Sequence, residues 1–319
     1  MNNCILCHGK LLINTNQTMF DADGNQIHKY QIATCVQCGS GVTVPLPTNY
    51  ELQELYSSGI YKNQGGKGIK IIDIFLKLLH KMRLNEIKKV IKKTGKLLDI
   101  GCGKGRFLLN AKKAGWEIEG QEFSSSQAKI SSKKLGVKIW NGELKNLPLK
   151  KESYKVITLW HVLEHVPDPK AYISIIKELL EPNGILVIEV PNYDSWQARI
   201  GKTKWFQLDV PRHLWQFTSN GLLELLSKNG FKIVETHTLS IELGPFGMLQ
   251  TLLNRAGFSP QWLFRFLKKS LPNYSLTELI VHICVVIILF IPAVLLEIIS
   301  VFFKKGGVLR IIAIHDELN

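Results

Sequence analysis

Acidic residues are scarce in this sequence, and internal repeats and low-complexity tracts are missing. The chain has 26 Asp and Glu against 40 Lys and Arg, which leaves a formal net charge of +14 over 319 residues. Without a repeat, a solenoid or similar array is excluded. Hydrophobic residues make up 45% of the chain and charged residues 21%, which excludes a disordered protein. The positive charge favours contact with phosphate groups, nucleic acid or acidic lipid, without choosing among them.

The start of the chain lacks the short apolar segment of a secretory signal, and cysteines are few. We therefore expect a cytoplasmic protein. Of six cysteines, four form two tight pairs near the N-terminus, and Cys102 and Cys284 stand alone. In a reducing cytoplasm, paired cysteines indicate metal ligands rather than disulfide bonds.

The two pairs, Cys4-x-x-Cys7 and Cys35-x-x-Cys38, match the spacing of a zinc ribbon. Each pair can form a tight knuckle that supplies two thiolates to a tetrahedral Zn²⁺. Because four cysteines close such a site, we predict that residues 1–45 form a zinc-ribbon-like module whose metal is structural.

Residues 46–95 are predicted to be a polar connector followed by a basic amphipathic helix. Apolar residues recur at helical spacing, and the helix ends in the basic residues Lys88, Lys89, Lys92 and Lys93. Together with the zinc module, this helix allows nucleic-acid binding as an alternative. The segment has no interleaved aromatic residues on which bases can stack, so we do not expect a nucleic-acid partner.

From Lys96 onward, apolar runs of strand length alternate with helical patterns. The predicted strands are Leu97–Ile100, Glu117–Gln121, Val137–Trp140, Lys155–Trp160, Gly184–Val190, Lys232–Thr236 and a final run, Val308–His315. Alternating strands and helices form right-handed crossovers. The pattern predicts an α/β fold with a mainly parallel sheet and helices on both faces.

A glycine-rich turn follows the first of these strands and opens a helix. Gly101, Gly103 and Gly105 form this glycine loop, and Asp99 lies just before it. Glycines let the backbone pass close to a ligand. A pyrophosphate loop would have the spacing Gly-x-Gly-x-x-Gly, and Asp99 would repel its ligand. An acid here suits an ammonium group, and Glu122, after the next strand, can accept hydrogen bonds from ribose hydroxyls.

Further motifs follow the glycine loop in a fixed order. They are Glu122, Asn141-Gly142-Glu143-Leu144, Trp160-His161-Val162-Leu163-Glu164-His165-Val166-Pro167-Asp168-Pro169, Leu179-Leu180-Glu181-Pro182-Asn183-Gly184 and Glu189-Val190-Pro191-Asn192. In order and spacing, the segment from Lys96 to about Thr238 resembles the class I S-adenosylmethionine-dependent methyltransferases. The resemblance is to the bacterial group that includes the ubiquinone-pathway O-methyltransferases. It implies a Rossmann-like, seven-stranded sheet and S-adenosylmethionine as methyl donor.

The resemblance also implies roles for individual residues. Asp99 and the glycine loop would hold the methionine amine and the ribose region, and Glu122 would bind the ribose hydroxyls. Glu143 and Leu144 would flank the adenine. Gln121 departs from the family, which more often has a small apolar residue before this acid. We expect little effect, because the acid is kept.

Candidate catalytic residues lie in two places. By resemblance, Trp160 and His161 would line the methyl-transfer site. Arg212 could bind an acidic or phosphorylated acceptor, and His213 could remove the acceptor proton. Alternatives remain open: His161 packs against or caps the next helix, and Arg212 and His213 tether their loop. Methyl transfer itself mainly needs alignment and exclusion of water, and a base helps if the acceptor is a hydroxyl.

Residues 279–303 are almost wholly apolar and, at about 25 residues, long enough to cross a bilayer. Lysines flank both ends of this segment, at Lys268, Lys269, Lys304 and Lys305. If Val308–His315 is the last strand of the sheet, both ends of the apolar segment lie on the same side of the membrane. The lysines at both ends indicate that this side is the cytoplasmic one. With a bend at Pro292, we predict a re-entrant hairpin or an interfacial helix. A buried core or dimer helix and a single crossing are the alternatives.

These features predict S-adenosylmethionine-dependent methyl transfer to a small, sugar-linked or lipid-linked acceptor, at an oxygen, at the cytoplasmic membrane face. The alternatives are a non-catalytic scaffold and a nicotinamide-dependent sugar-modifying enzyme, which no suitably placed Tyr-x-x-x-Lys pair supports. No oligomeric state is predicted. The predicted segments are 1–45 for the zinc module, 46–95 for the connector and basic helix, 96–240 for the methyltransferase domain, 241–307 for a membrane-associated helical insertion and 308–319 for the last strand and tail.

Overall fold

The computed structural model describes residues 3–13, 18–21, 24–57, 70–268 and 275–315. The chain divides into two compact units. The first unit is Met1–Gly66, Pro191–Leu222 and His237–Leu309, and the second is Lys67–Val190, Leu223–Thr236 and Arg310–Asn319. Residues 58–66 of the predicted connector, and Lys269, lie outside the described residues.

Strands and helices are numbered here in chain order. The strands are β1 (Leu11–Ile13), β2 (Met19–Phe20), β3 (Gln26–Ile27), β4 (Gln31–Cys35), β5 (Gly41–Val44), β6 (Lys96–Ile100), β7 (Glu117–Glu122), β8 (Ile139–Asn141), β9 (Tyr154–Trp160), β10 (Leu180–Pro191), β11 (Trp215–Gln216), β12 (Phe231–His237) and β13 (Val308–His315). The helices are α1 (Asn49–Ser57), α2 (Lys70–Val90), α3 (Arg106–Lys113), α4 (Ser125–Leu135), α5 (Pro169–Leu179), α6 (Trp196–Gly201), α7 (Ser219–Lys228), α8 (Gly244–Arg255), α9 (Trp262–Leu267) and α10 (Leu276–Phe302).

One seven-stranded sheet dominates the second unit, in the order β12-β13-β10-β9-β6-β7-β8. Strands β10, β9, β6, β7 and β8 pair in parallel. In the central strand β6, Leu97, Leu98 and Ile100 are fully buried, as expected for a parallel strand that is covered on both faces. The predicted Rossmann-like, mainly parallel sheet is confirmed.

Local sequence explains where the helices of this sheet begin and end. Asp168 caps α5 by accepting a hydrogen bond from a backbone N–H of the first turn at 3.0 Å, and Pro169 follows it. Ser124 caps α4 in the same way, and Gly136 ends that helix in the left-handed conformation. Such caps satisfy backbone groups that helix ends otherwise leave without partners. Each crossover therefore returns the chain to the sheet at a defined residue.

A small antiparallel sheet in the first unit has the order β1-β4-β5-β11. The first cysteine pair precedes β1 in the chain, and the second pair lies at the end of β4 and in the turn before β5. The fourth strand comes from far along the chain, where Trp215 pairs with Val42 and Gln216 with Gly41. We did not predict β11, because two residues are too short a run to show a strand pattern.

Helix α10 runs without interruption from Leu276 to Phe302. The predicted re-entrant hairpin is therefore wrong, because Pro292 removes one backbone hydrogen bond inside the helix without reversing the chain. By length and composition the helix is able to cross a membrane, and only 6% of its most apolar window is buried. A core helix of a single chain would be mostly covered, so that alternative does not fit.

The covered side of α10 packs on α8 within the first unit. The buried contact residues are Met248, Leu249, Leu253 and Ala293. Near the end of α10, the buried carboxylate of Glu297 accepts hydrogen bonds from Gln197 Nε2 at 2.7 Å and from the N–H of Gly307 at 3.0 Å. Because these partners satisfy the acid, it can lie inside an otherwise apolar helix and anchor that helix to the unit.

Candidate functional site

The glycine loop joins β6 to α3 and takes a backbone conformation that favours glycine. The φ angle is +69° at Gly101, +51° at Gly103 and +64° at Gly105. A Cβ on Gly101 would lie 2.4 Å from Cγ2 of Val162, whereas a Cβ on Gly103 would meet nothing within 4 Å. The loop is therefore packed at its first glycine and has space beside the second, where a ligand can approach the backbone.

Asp99 is the buried acid at the end of β6, with 2% of its surface exposed. Its Oδ1 accepts a hydrogen bond from Thr158 Oγ1 at 2.7 Å, because β9 places Thr158 opposite it. Burial raises the pKa of Asp99 to about 7, against the opposing effects of this hydrogen bond and of the Arg83 charge. An approaching cation would favour the ionised carboxylate, so the site suits a ligand that carries an ammonium group.

Glu122 and its neighbour Gln121 tie three backbone segments together at the end of β7. The Glu122 carboxylate accepts a hydrogen bond from the N–H of Gly103 at 2.8 Å. The Gln121 amide accepts one from the N–H of Gly101 at 3.1 Å and donates one to the carbonyl of Gly142 at 2.6 Å. Gln121, the departure from the family's motif, thus links the glycine loop to the end of β8. A small apolar residue has no donor or acceptor for these bonds.

Glu143 and Leu144, predicted to flank an adenine, lie at the turn after β8. Leu144 is buried, and Glu143 is exposed and pairs with Lys145 at 2.9 Å. Their adenine contacts stay predictions. The side chains present nevertheless fit S-adenosylmethionine: Asp99 suits its ammonium, Glu122 can accept hydrogen bonds from its ribose, and the backbone is open at Gly103.

A buried charge cluster lies behind Trp160 at the end of β9. The Glu189 carboxylate is fully buried and lies 2.5 Å from Arg83 Nη2 and 2.6 Å from Arg310 Nε. The Arg83 guanidinium also lies 4.4 Å from the centre of the Trp160 ring. We call Glu189, Arg83, Arg310 and His161 together the Glu189 cluster. The sequence did not predict the two arginines of this cluster. Its one indication was an acid, Glu189, inside an otherwise apolar strand.

His161 joins the Glu189 cluster through both ring nitrogens. Nδ1 lies 3.3 Å from Glu164 Oε1, and Nε2 makes an ion-pair contact with Glu189 Oε1 at 3.2 Å. Burial lowers the pKa of His161, but the two carboxylates outweigh burial and raise it to about 9. An imidazole that is already protonated at neutral pH cannot accept a proton. The geometry favours a positioning role, and the predicted catalytic role of His161 stays untested.

Arg212 and His213, the other candidate catalytic residues, precede β11 in the first unit. Arg212 is buried and donates to the Asp209 carboxylate from Nε at 3.1 Å and from Nη2 at 2.8 Å. His213 Nδ1 lies 2.8 Å from the carbonyl oxygen of Gln207. A carbonyl only accepts, so Nδ1 carries the proton and Nε2 is the basic nitrogen. Acceptor binding by Arg212 and proton transfer by His213 stay predictions.

The four paired cysteines come together in the first unit, and all are buried. Their Sγ atoms lie within 4.8 Å of one another, with 3.9 Å between Cys4 and Cys38 and 3.3 Å between Cys7 and Cys35. Zn–S bonds of about 2.3 Å in a tetrahedron place the sulfurs about 3.8 Å apart. The N–H of Gly9 also donates to Cys7 Sγ at 3.4 Å. The donor set and its spacing fit Zn²⁺.

Comparison with known proteins places these features in a family. A family model described as a methyltransferase domain matches residues 73–236. A ubiquinone biosynthesis O-methyltransferase of Cereibacter sphaeroides is 30% identical over 151 residues, which cover 44% of this chain and 61% of that protein. The uncharacterized protein MJ1123 of Methanocaldococcus jannaschii is 29% identical over 167 residues, which cover 52% of this chain and 78% of that protein. The chain thus spans about three fifths of the length of the ubiquinone biosynthesis O-methyltransferase.

Solved structures show the same fold. The [4+2]-cyclase SpnF is similar with a TM-score of 0.52 and 17% identity, over 86% of this chain and 98% of that one. The phosphoethanolamine N-methyltransferase 2 of Haemonchus contortus, in complex with S-adenosylmethionine, is similar with a TM-score of 0.52 and 13% identity, over 87% and 62%. At these identities the likeness concerns the fold alone.

The glycine loop, Asp99 and Glu122 all lie inside the matched region, which spans residues 73–236 and so more than half of the 319 residues. The chain therefore belongs to the methyltransferase-domain family and is a class I S-adenosylmethionine-dependent methyltransferase.

Proposed function

We propose that this enzyme transfers a methyl group to an oxygen of a lipid-linked acceptor at the cytoplasmic face of a membrane. The observation that carries the proposal is the exposed apolar side of α10. A soluble enzyme for a small soluble substrate has no need of such a surface, whereas an enzyme for a membrane-held substrate must reach the lipid.

Large hydrophobic side chains cover the exposed side of α10 along its length. These residues are Leu276, Ile280, Val281, Ile283, Ile287, Ile288, Phe290, Ile291, Leu295, Ile298, Ile299 and Phe302. Ile288 and Ile291 are 68% and 66% exposed. Apolar patches of this extent mark contact sites for membranes or proteins. Removing such surface from water contributes about 25 cal/mol per Å².

Basic side chains flank this apolar surface on both sides in sequence. Lys268 precedes the helix and is exposed; after the helix, Lys304 is exposed and Lys305 is half-buried. Cations next to an apolar helix favour an anionic leaflet, which charges the cytoplasmic face of membranes. Since basic residues occur at both ends, we infer that α10 lies along the interface rather than crossing it.

We assign the donor site to residues of the second unit. Bound S-adenosylmethionine supplies a methyl group that its sulfonium has already activated. Asp99 would accept the hydrogen bond from its ammonium and Glu122 those from its ribose hydroxyls. Glu143 and Leu144 keep the adenine-flanking role, and Trp160 would lie beside the methyl group. These residues hold and orient the donor, which is most of what the reaction needs.

We assign proton removal from an acceptor hydroxyl to His213 rather than to His161. The carbonyl of Gln207 orients the His213 ring and makes Nε2 its basic nitrogen. In contrast, the pKa of His161 is raised to about 9, so this ring is already protonated at neutral pH.

The test is methyl transfer from S-adenosylmethionine labelled in the methyl group to a membrane lipid extract. The His213→Asn variant is expected to lose on the order of 10²- to 10⁴-fold in kcat, the usual contribution of a general base, with unchanged donor affinity. His28→Asn, an exposed histidine of the same unit, is the matched control. Label that enters only the water-soluble fraction contradicts the lipid-linked acceptor, and a fully active His213→Asn variant contradicts the base.

Membrane attachment is tested by flotation with vesicles that contain phosphatidylglycerol. The double variant Ile288→Asp and Ile291→Asp should bind at least about tenfold more weakly, because it places two charges in the apolar face. Ile130→Asp, at a residue of α4 that is 56% exposed, is the matched control. Equal flotation of the double variant and wild type contradicts the proposal. If the wild type forms a stable dimer and the double variant is a monomer, the apolar surface is instead the contact with a second copy of the chain.

We also propose that Cys4, Cys7, Cys35 and Cys38 bind a structural Zn²⁺. The spacing of their sulfur atoms supports this assignment. Four thiolates fill a tetrahedral site and leave no position for substrate, so the metal would stabilise the module and take no part in the reaction.

A further inference from the structure

The predicted zinc module of residues 1–45, which we call the cysteine module, lies next to a strand from the segment that carries Arg212 and His213. Strand β11 pairs with β5, and β5 follows the second cysteine pair directly. Both segments lie in the first unit. The four-stranded sheet thus contains three strands of the module and one strand of the segment 211–218, which we call the histidine segment.

Thr43 on β5 makes two hydrogen bonds to the histidine segment. Its N–H donates to the carbonyl of Leu214 at 2.9 Å, and its Oγ1 donates to the carbonyl of His213 at 2.7 Å. Gln216 Nε2 donates to the same His213 carbonyl at 3.0 Å. The backbone of the proposed base is therefore held from two sides, and Thr43 is fully buried.

Thr218 joins the end of the histidine segment to the turn that carries the second cysteine pair, which we call the knuckle. Its Oγ1 donates to the carbonyl of Cys38 at 2.6 Å. Its N–H donates to Ser40 Oγ at 3.1 Å, and the Ser40 hydroxyl lies 3.0 Å from Thr218 Oγ1. A movement of Cys38 must therefore move or break the contacts of Thr218.

The helix that follows the histidine segment also touches the knuckle. A Cβ on Gly221, in the first turn of α7, would lie 2.1 Å from Ser40 Oγ and 3.3 Å from Cys38 Sγ. Only a residue without a side chain fits there. The module therefore contacts this stretch of chain at three successive places, His213–Gln216, Thr218 and Gly221.

We propose that the cysteine module is a positioning element for the histidine segment: occupancy of the four cysteines by metal holds Arg212 and His213 in their conformation for the acceptor. The inference rests on the proposed zinc site and on the proposed role of His213. Asp99 and Glu122 belong to the other unit, so donor binding is expected to be insensitive to the metal.

The test uses the full-length, zinc-loaded protein and the pair Thr43→Val and Thr43→Ser. Valine keeps the shape and loses the hydroxyl, and serine keeps the hydroxyl. Backbone amide exchange of residues 211–217, followed by mass spectrometry, should be about tenfold faster in Thr43→Val, the effect of one buried hydrogen bond, and near wild type in Thr43→Ser. Zinc content and S-adenosylmethionine affinity should equal those of wild type in both, while the acceptor KM or kcat worsens in Thr43→Val alone.

Metal removal by a chelator provides the second measurement. Exchange in 211–217 should rise together with that of β4 and β5, while α8, in the same unit, keeps its protection. Unchanged exchange in 211–217, both in Thr43→Val and after chelation, overturns the inference. Wild-type protein that holds no zinc and still protects 211–217 overturns it as well. Faster exchange in Thr43→Val with unchanged methyl transfer leaves the positioning contact standing and contradicts the proposed role of His213.

Discussion

Replacement of Asp99 by asparagine is expected to weaken S-adenosylmethionine binding on the order of 100-fold, about 3 kcal/mol. The buried carboxylate is the proposed partner of the donor's ammonium, and a neutral amide cannot replace its charge. Calorimetric titration of wild type and variant measures the effect. Glu117→Gln, at an exposed acid at the start of β7, should bind within about twofold of wild type, as expected for an exposed charge. Equal affinity of Asp99→Asn and wild type for S-adenosylmethionine would contradict the assignment of Asp99 as the partner of the donor's ammonium group.

The same carboxyl predicts a pH dependence of donor binding. The pKa of Asp99 is about 7 because the group is buried. Below that pH the free enzyme must lose a proton to form the ion pair, so affinity should fall by up to tenfold for each further pH unit and level off above pH 7. The Asp99→Asn variant should lack this dependence.

Asp99→Asn should also make the free protein more stable at pH 8. The unfolded carboxyl ionises near 3.8, whereas the folded one ionises only near 7. Between these values the unfolded chain binds fewer protons, so stability falls as pH rises, by at most about 4 kcal/mol. Asparagine avoids this cost and still offers an acceptor to Thr158. Thermal unfolding without donor, compared at pH 4 and pH 8, should show the gain at pH 8 alone.

Replacement of Glu189 by glutamine is expected to lower the free energy of unfolding by about 3–5 kcal/mol. Burial raises the pKa of Glu189, but the charges of Arg83 and Arg310 outweigh burial and hold this pKa well below its usual range. The carboxylate is therefore charged throughout the neutral range. Without it, the two buried guanidinium groups lose their shared carboxylate, and Arg310 keeps its ion pair with Glu86 at 2.6 Å.

Urea unfolding measures this effect, with Glu178→Gln as matched control. Glu178 pairs with Lys151 at 2.9 Å, and both side chains are more than half exposed. Exposed pairs contribute about 0–1 kcal/mol, so the control should stay near wild type. The pKa of His161, followed by NMR, should fall from about 9 in Glu189→Gln. A loss as small as that of the control would show that the Glu189 cluster adds no stability.

Much of the fold follows from patterns that are local in sequence. Strand β6 is a continuous apolar run, and the glycine loop and the caps at Ser124 and Asp168 follow from residue types whose backbone preferences are strong. The spacing of the cysteines likewise led to the metal-binding hypothesis before any contact was known. These features needed only neighbouring residues, because periodicity and turn chemistry act over a few positions.

Contacts between distant segments were not predictable in this way. Arg83 and Arg310 meet Glu189 from α2 and β13, and no periodic pattern links these positions. At the sequence level Pro292 allowed a bend that reverses the chain, whereas in the structure α10 continues through it as one helix. The environment of a histidine is equally non-local: His161 and His213 were equivalent candidates until their ring partners were known.

The sequence by itself determined the class of enzyme, the seven strands of the main sheet in their order along the chain and the apolar segment, and it supplied the prediction of the donor-binding residues. The tertiary structure alone decided that His161 lies between two carboxylates, that Arg212 is paired with Asp209 and that β11 completes the sheet of the cysteine module. The physical reason is that the charge of an ionisable group depends on its neighbours in space. Those neighbours come from segments whose meeting is decided by packing of the whole chain.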